Sequence, residues 1–185
     1  MKNHTSLLLV TASVAILFSS CKKDDTTQPP AVNPSELITT VQLLITDSAT
    51  NSTIGAFSWK DIDGDGGNNP VIDTVVLQPT STYKVSVLIL DETKSPVDTV
   101  SNEVMEENLQ HLLLHSFNQG SSLQFISTDQ DDNGGALGLE GILNTGGPTS
   151  GSYTLELRHY DSAADKVSGT PFETDIQVSF PVKVN

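Results

Sequence analysis

The residues with the clearest chemical potential lie in an acidic stretch, DQDDNGGALGLE, at positions 129–140. Calcium takes six to eight oxygen ligands, and a loop that wraps it alternates acidic residues, turns at a glycine in the sixth place and closes with a glutamate in the twelfth. The residues that fill this pattern here are Asp129, Asp131, Asn133, Gly134 and Glu140. The spacing predicts a calcium site, and a plain acidic turn is the alternative.

The residues that flank this stretch differ from those of a helix–loop–helix calcium site. LQFIS precedes the stretch and GILNTGG follows it, and neither sequence can form a long helix. A hairpin with DNGG as its turn accounts for the same residues. We therefore expect any calcium here to be held by a loop between strands.

A second acidic loop, KDIDGDGGNNP at 60–70, fits the first half of the same pattern. Asp61, Asp63 and Asp65 alternate in it, but the twelfth position is Ile72 and the closing acid is missing. The loop is predicted to bind calcium weakly, with an affinity of ~10⁻⁴–10⁻³ M, as in extracellular modules. The bound ion would make the loop rigid.

Histidines form the other candidate site. His111 and His115 are four residues apart and share a face in a helix or a strand, and His159 ends a predicted strand. Two imidazoles with a carboxylate could hold zinc or copper. The carboxylate is left open among three acids, Glu107, Glu173 and Asp175. His111 and His159 are thus predicted ligands of a transition metal, and half-exposed, hydrogen-bonded histidines are the alternative.

Composition and missing motifs exclude several functions. The chain has 9 Lys and Arg against 23 Asp and Glu, for a net charge of −14, whereas nucleic-acid binding needs a basic face. The sequence contains no phosphate-binding glycine loop, no GxSxG and no nucleophilic cysteine beyond a predicted leader. These features predict a protein that is not an enzyme, with a hydrolase as the remote alternative.

Alternating apolar residues predict the elements that position these side chains. Four stretches alternate clearly, at 38–47, 82–91, 152–160 and 174–184. Shorter candidates lie at 56–60, 74–77, 123–127 and 137–143, separated by turns rich in glycine and asparagine. Residues 36–185 are therefore predicted to form one all-β domain, an antiparallel, immunoglobulin-like β-sandwich of seven to nine strands. Pro181 predicts an edge position for the last strand.

The segment NEVMEENLQHLLLHSF at 102–117 fits two predictions. As a helix it would place Met105, Leu109 and Leu112 on one side. As a strand it would place His111, Leu113 and His115 on one face. The surrounding β pattern favours a strand from about Gln110.

The beginning of the chain predicts its compartment. The apolar run from Leu7 to Phe18 is shorter than the ~20 residues that span a bilayer, and it matches the core of a secretory signal. LFSSC ends this segment at Cys21 and resembles a bacterial lipobox, which predicts a signal peptide at 1–20 and lipidation of Cys21. An ordinary signal peptide with an incidental cysteine is the alternative. Residues 21–35 are polar and proline-rich, as in a disordered tether.

These features together resemble a family of short Bacteroidetes lipoproteins encoded beside TonB-dependent outer-membrane receptors. The resemblance rests on LFSSC with KKDD, and on KDIDGDG, LDETKSPVD, EENLQH, DDNGGALGLE, LRHYD and ETDIQVSF. Some members are labelled as a type 1 periplasmic-binding fold, which is α/β and larger than the pattern here. Gln110 departs from the family, because a glutamate precedes the histidine there.

The resemblance implies a location and a role. KKDD after the lipidated cysteine implies that the anchor holds the protein on the outer membrane, facing the cell surface. The association with receptors implies a non-enzymatic binding or accessory module of a TonB-dependent uptake system, with a metal cation as a candidate cargo. The alternative is a calcium-stabilised structural or adhesive surface protein.

Overall fold

The computed structural model describes residues 37–64, 66–118 and 120–185. The predicted signal peptide at 1–20, the tether at 21–35 with Cys21, and Asp65 lie outside these described residues. Within the described ranges, no helix has the length and apolar character needed to cross a bilayer.

The described residues contain ten strands and two short helices. In chain order they are β1 Thr40–Asp47, β2 Thr53–Lys60, β3 Val71–Ile72, β4 Val75–Leu77, β5 Thr82–Leu90, α1 Val100–Glu106, β6 His111–Phe117, β7 Gln124–Ser127, β8 Glu140–Asn144, β9 Thr149–His159, α2 Ala163–Ser168 and β10 Glu173–Val184. The strand count exceeds the predicted seven to nine because of β3, a strand of two residues that the sequence pattern did not indicate.

The strands form two sheets. The six-stranded sheet has the order β3-β2-β1-β5-β8-β7, and the four-stranded sheet has the order β4-β10-β9-β6. All neighbours are antiparallel except β4 and β10, which pair in parallel. The predicted all-β sandwich class is confirmed, whereas the parallel pair was not predicted.

One hydrophobic core joins the inner faces of both sheets. Strands β1, β5, β9 and β10 contribute alternate residues, as their period-two pattern requires. The largest fully buried side chains include Tyr83, Tyr153, Phe180, Leu43 and Leu155. Burying a large apolar side chain contributes roughly 1.5–3 kcal/mol, so this shared core accounts for the cohesion of the two layers.

The helix predicted as one alternative for the segment 102–117 is present in its first part, and the predicted strand is present in its last part. Residues up to Glu106 form α1, and β6 begins at His111, one residue after the predicted start. The turn between them brings Glu107, the residue after α1, next to the first histidine of the strand. This turn positions the candidate site.

The predicted edge position of the last strand is wrong. Strand β10 lies between β4 and β9, and Pro181 is opposite Ser152 of β9. The pairing with β4 covers only Val182 to Val184, so it begins just after the proline. A missing backbone N–H at Pro181 is tolerated because the ladder with β4 has not yet begun there.

The segment at 137–139 crosses between the sheets and is not a strand. The carbonyl of Leu137 accepts a hydrogen bond from Leu113 N of β6, and the carbonyl of Leu139 accepts one from Val87 N of β5, both at 2.8 Å. The strand predicted to start at 137 therefore starts at Glu140. The crossing fastens the acidic stretch to both sheets.

Candidate metal centre

Two histidines meet across neighbouring strands at one end of the four-stranded sheet. His111 begins β6 and lies directly opposite His159, the last residue of β9. Their rings stack with centroids 4.6 Å apart and an interplanar angle of 28°. Glu107, in the turn before β6, completes a group whose three ligand atoms all lie within 4.8 Å of one another.

The turn between α1 and β6 fixes the tautomer of His111. Glu107 N donates to the carbonyl of Glu103 as α1 ends, and Gln110 N donates to the carbonyl of Glu107. Nδ1 of His111 lies 3.2 Å from that same Glu107 carbonyl. Because a carbonyl can only accept, Nδ1 carries the proton and Nε2 keeps its lone pair. Nε2 is therefore the nitrogen available to a metal.

A β-bulge brings a second carboxylate to the histidines. The β9–β10 register shifts between Thr174 and Ile176, so Asp175 is the extra residue of β10. Such bulges redirect a side chain. Oδ2 of Asp175 lies 3.9 Å from Nε2 of His111. Asp175 thus lies beside His111 but outside the group of Glu107, His111 and His159 that converges within 4.8 Å.

Burial sets the charge state of this group. His111 is only 3% exposed, and burial lowers the pKa of its imidazole below the usual value. Burial also raises the pKa of Asp175, partly offset by nearby His159. Neutral imidazole is the form that binds metals, and a divalent cation would compensate the desolvated carboxylate.

The donor set fits a transition metal better than calcium. Imidazole nitrogens and carboxylates suit zinc and copper, whereas calcium takes oxygen ligands alone. Ligands ~2.1 Å from a tetrahedral zinc lie ~3.4 Å apart. Since the group spans 4.8 Å, closing it on one ion requires side-chain movements on the order of 1 Å.

The turn that carries Glu107 is held from outside by the acidic stretch. Asn108 Oδ1 accepts from Asp132 N at 3.0 Å, and the carbonyl of Asn108 accepts from Lys166 Nζ at 2.7 Å. Lys166 also forms an ion pair with Asp131 at 2.7 Å, in which both side chains are less than a tenth exposed. Asp131, through Lys166, and the backbone of Asp132 therefore hold the turn that carries Glu107.

Hydrogen bonds occupy both carboxylate oxygens of Asp129. Oδ1 accepts from Ser127 Oγ at 2.7 Å and from Gly138 N at 2.9 Å. Oδ2 accepts from Leu139 N at 2.7 Å and from Glu140 N at 3.1 Å. The carboxylate thus caps three successive backbone N–H groups of the segment that crosses between the sheets.

The remaining predicted calcium ligands of this stretch point to different partners. Asp131 Oδ1 accepts from the backbone N–H groups of Asn133 and Gly135, while its Oδ2 faces Lys166. Glu140 accepts a hydrogen bond from Ser86 of β5. The geometry favours the acidic turn as the explanation of the stretch, and calcium binding here stays a prediction.

The earlier acidic loop is likewise held by internal hydrogen bonds. Asp61 Oδ1 accepts from Gly64 N at 3.0 Å. Asp63 Oδ2 accepts from the backbone and side-chain nitrogens of Asn68, which lower the pKa of Asp63. Among the described residues, the group that could share one metal ion is the histidine site and not this loop.

His115 lies on the same face of β6 as His111 but belongs to the core. Its Nε2 donates to the carbonyl of Gly138 at 2.7 Å, and its Nδ1 accepts from the hydroxyl of Tyr153 at 2.6 Å. Its ring stacks on Phe125 with centroids 3.5 Å apart. Both nitrogens are used, so His115 is structural.

The structure therefore brings together His111 and His159, while the described acids of both loops accept hydrogen bonds from neighbouring backbone and side-chain groups. Sequence reasoning left the carboxylate open, and the structure places Glu107 in the group with Asp175 beside it. The spacing of Glu107 four residues before His111 was the available signal. Comparisons with known protein families, curated proteins and solved structures give no match for this chain.

Proposed function

We propose that this chain is a non-enzymatic module that binds one divalent transition-metal cation, of the zinc class, at Glu107, His111 and His159. The observation that carries the proposal is the convergence of two imidazoles and one carboxylate within 4.8 Å. His111 is buried and presents an unprotonated nitrogen, so this ligand is in its metal-binding form before the metal arrives.

The donor count favours holding the metal over catalysis. Catalytic zinc sites use three protein ligands and leave a fourth position for water or substrate, whereas structural sites fill all four. Asp175, 3.9 Å from His111 Nε2 but outside the group within 4.8 Å, would take the fourth position after a further side-chain movement. A closed set of protein ligands would retain the ion and exclude an activated water.

The lipobox at Cys21 and the resemblance to receptor-associated lipoproteins supply the cellular setting of the proposal. A lipid anchor on the outer membrane, with the domain at the cell surface, would concentrate the bound cation close to a TonB-dependent receptor. The protein would then act as an accessory of uptake, and the receptor is the proposed partner. No nucleic acid is involved, since the chain carries a net charge of −14.

Zinc titration by isothermal calorimetry tests the site directly. We expect the metal-free protein to bind one equivalent of Zn²⁺ and expect His111→Ala, His159→Ala and Glu107→Gln each to weaken binding at least tenfold. Glu106→Gln is the matched control for the carboxylate, because Glu106 is an exposed neighbour outside the group. His115→Gln is the control for the histidines.

Two outcomes would contradict this assignment. If His159→Ala binds zinc as strongly as the wild type, the ion binds elsewhere. If the wild type gives no heat of zinc binding, the proposed metal site does not exist. Calcium in excess should not compete, because the ligands include nitrogen.

The accessory role has a separate test in the bacterium that encodes the chain. A strain lacking the protein should grow more slowly when zinc is limiting, and the wild-type gene should restore growth while the His159→Ala gene should not. If both genes restore growth equally, the role of the protein in growth does not depend on the metal centre.

A further inference from the structure

A groove on the outer face of the six-stranded sheet contains none of the proposed metal ligands. It lies beside α1 and has a volume of about 530 Å³, within the range typical of small-molecule sites. Its apolar lining comes from both sheet and helix, and includes Leu44, Leu88, Met105, Leu137 and Leu139. The groove therefore has an apolar surface large enough for a small-molecule ligand.

Three of these apolar side chains are open to solvent. Leu44 is 44% exposed, Leu88 is 37% exposed and Met105 is 50% exposed. Leu44 and Leu88 lie on neighbouring strands, and Met105 belongs to α1 above them. A concave cluster of exposed apolar side chains rimmed by polar residues is characteristic of a binding site.

The polar groups of the groove are acids and amides. Among the described residues that line it, none is lysine, arginine or histidine. Glu140 uses one carboxylate oxygen to accept from Ser86, and no described residue donates to the other oxygen. Asp129, by contrast, has both oxygens occupied. Glu140 is thus the negative charge that is available to a ligand.

We propose that the groove binds a small amphipathic cation, an apolar chain or ring that carries a protonated amine. The apolar part lies against Leu44, Leu88 and Met105, and the ammonium group donates to Glu140. An apolar anion of the same size is excluded because it would face Glu140 and a domain rich in acids. The two sites share no ligand residue, although Asn108 of the turn before β6 also lines the groove.

Binding of n-octylammonium, followed by two-dimensional NMR of the ¹⁵N-labelled protein, tests the proposal. We expect saturable shifts of groove residues with n-octylammonium and none with n-octanoate at equal concentration. Leu88→Arg should abolish the shifts, because it blocks the groove and adds a cation. Glu140→Gln should weaken binding at least fivefold, while retaining an acceptor for Ser86.

Matched controls separate groove binding from general attraction to an acidic protein. Ile54→Arg adds the same charge on β2, at a side chain 42% exposed and outside the groove, and should bind normally. Glu106→Gln removes one exposed acid outside the groove and should also bind normally. Equal loss in Ile54→Arg and Leu88→Arg would overturn the proposal.

Two further results would also overturn it. If n-octanoate binds as tightly as n-octylammonium, the groove does not select a cation through Glu140. If neither probe binds and Leu88→Arg converts a dimer to a monomer in sedimentation velocity, the groove is covered by a second copy of the chain.

Discussion

The two histidines of β6 differ in role because the atoms around their rings differ. His111 keeps one nitrogen free toward His159 and Asp175, whereas His115 has both nitrogens bonded within the core. Sequence spacing places both residues on one face and cannot separate them, since the distinction depends on Tyr153 and Gly138 from distant parts of the chain. Only the first can serve as a ligand.

His115 should make stability depend on pH. Burial lowers the pKa of its ring to about 4, against 6.5 in an unfolded chain. Between these values the unfolded state binds more protons, so stability is complete above pH 6.5 and falls as the pH drops toward 4. The loss is on the order of 2–3 kcal/mol.

Urea unfolding at pH 7, 5.5 and 4.5, in the presence of a chelator, measures this loss. The His115→Gln variant can still accept from Tyr153 and donate to Gly138, and it has no proton to gain. Its free energy of unfolding should therefore vary less with pH than that of the wild type. Parallel pH profiles for the two proteins would assign the titration to other groups.

Asp129 should be a structural residue whose contribution does not need calcium. In Asp129→Asn one carboxylate oxygen becomes an N–H₂ group, which cannot accept a hydrogen bond. The two donors that face that oxygen lose their acceptor, so about half of the hydrogen bonds to residue 129 are lost. We expect destabilisation of at least ~3 kcal/mol, because about two hydrogen bonds to the charged group are lost and each contributes ~1.5–3 kcal/mol.

Thermal or urea unfolding of this variant should be compared in chelator and in millimolar calcium. The difference from the wild type should be the same in both, since the carboxylate is already saturated by N–H donors. A wild type that gains several kilocalories per mole from calcium, with the gain lost in Asp129→Asn, would instead establish the calcium site that the sequence predicts.

At the scale of elements, the turn between α1 and β6 connects the acidic stretch with the metal centre. The apolar residues at 102–117 fit both a helical and a strand period, and the segment forms a helix first and a strand after it. The pattern predicted the start of the strand to within one residue, but it left open whether a helix precedes the strand. The boundary is set by tertiary contacts to the turn, from Asp132 N and Lys166 to Asn108.

Asn108→Ala tests whether this turn positions Glu107. The change removes the acceptor of Asp132 N without altering any charge, so it separates positioning from electrostatics. Partners outside the ligand shell typically contribute 10–100-fold in metal affinity, and we expect zinc binding to weaken about tenfold. Zinc calorimetry at a temperature where the variant is folded is the measurement.

Asn102→Ala is the matched control for this prediction. Asn102 is an exposed asparagine of the same helix with no side-chain hydrogen bond among the described residues. It should leave zinc affinity unchanged. An Asn108→Ala protein with wild-type affinity and lowered stability would show that the turn only supports the fold.

Two backbone irregularities that build the site were beyond the reach of pattern reasoning. The bulge at Asp175 interrupts an otherwise regular alternation, and its position depends on the register with β9. Gly138 has a φ of +95°, and a Cβ there would lie 2.1 Å from the carbonyl oxygen of Leu113. The crossing between the sheets thus needs glycine at position 138, which is not the glycine that the calcium pattern uses.

At the scale of the whole molecule, alternation predicts which residues are inside but not which strands are neighbours. The period-two pattern of β1, β5, β9 and β10 gives the core and hence the β-sandwich. The order of strands, the parallel pair of β4 and β10, and the meeting of His111 with His159 follow from long-range pairing. A local pattern contains no information on such pairing, so the site could be suspected from residue types and located only in the fold.

The acidity of the chain and the predicted lipid on Cys21 together lead to a prediction about membrane attachment. A chain with net charge −14 gains nothing from anionic headgroups, so attachment must come from acyl chains, which contribute ~0.8 kcal/mol per buried CH₂. We expect the wild type in the outer-membrane fraction, resistant to high salt, and Cys21→Ser in the soluble fraction with an unchanged zinc affinity. Mass spectrometry of the peptide that begins at Cys21 should find the lipid. Recovery of Cys21→Ser with the membrane, or an unmodified cysteine in the wild type, would contradict the anchor and leave the domain to reach the membrane through a protein partner.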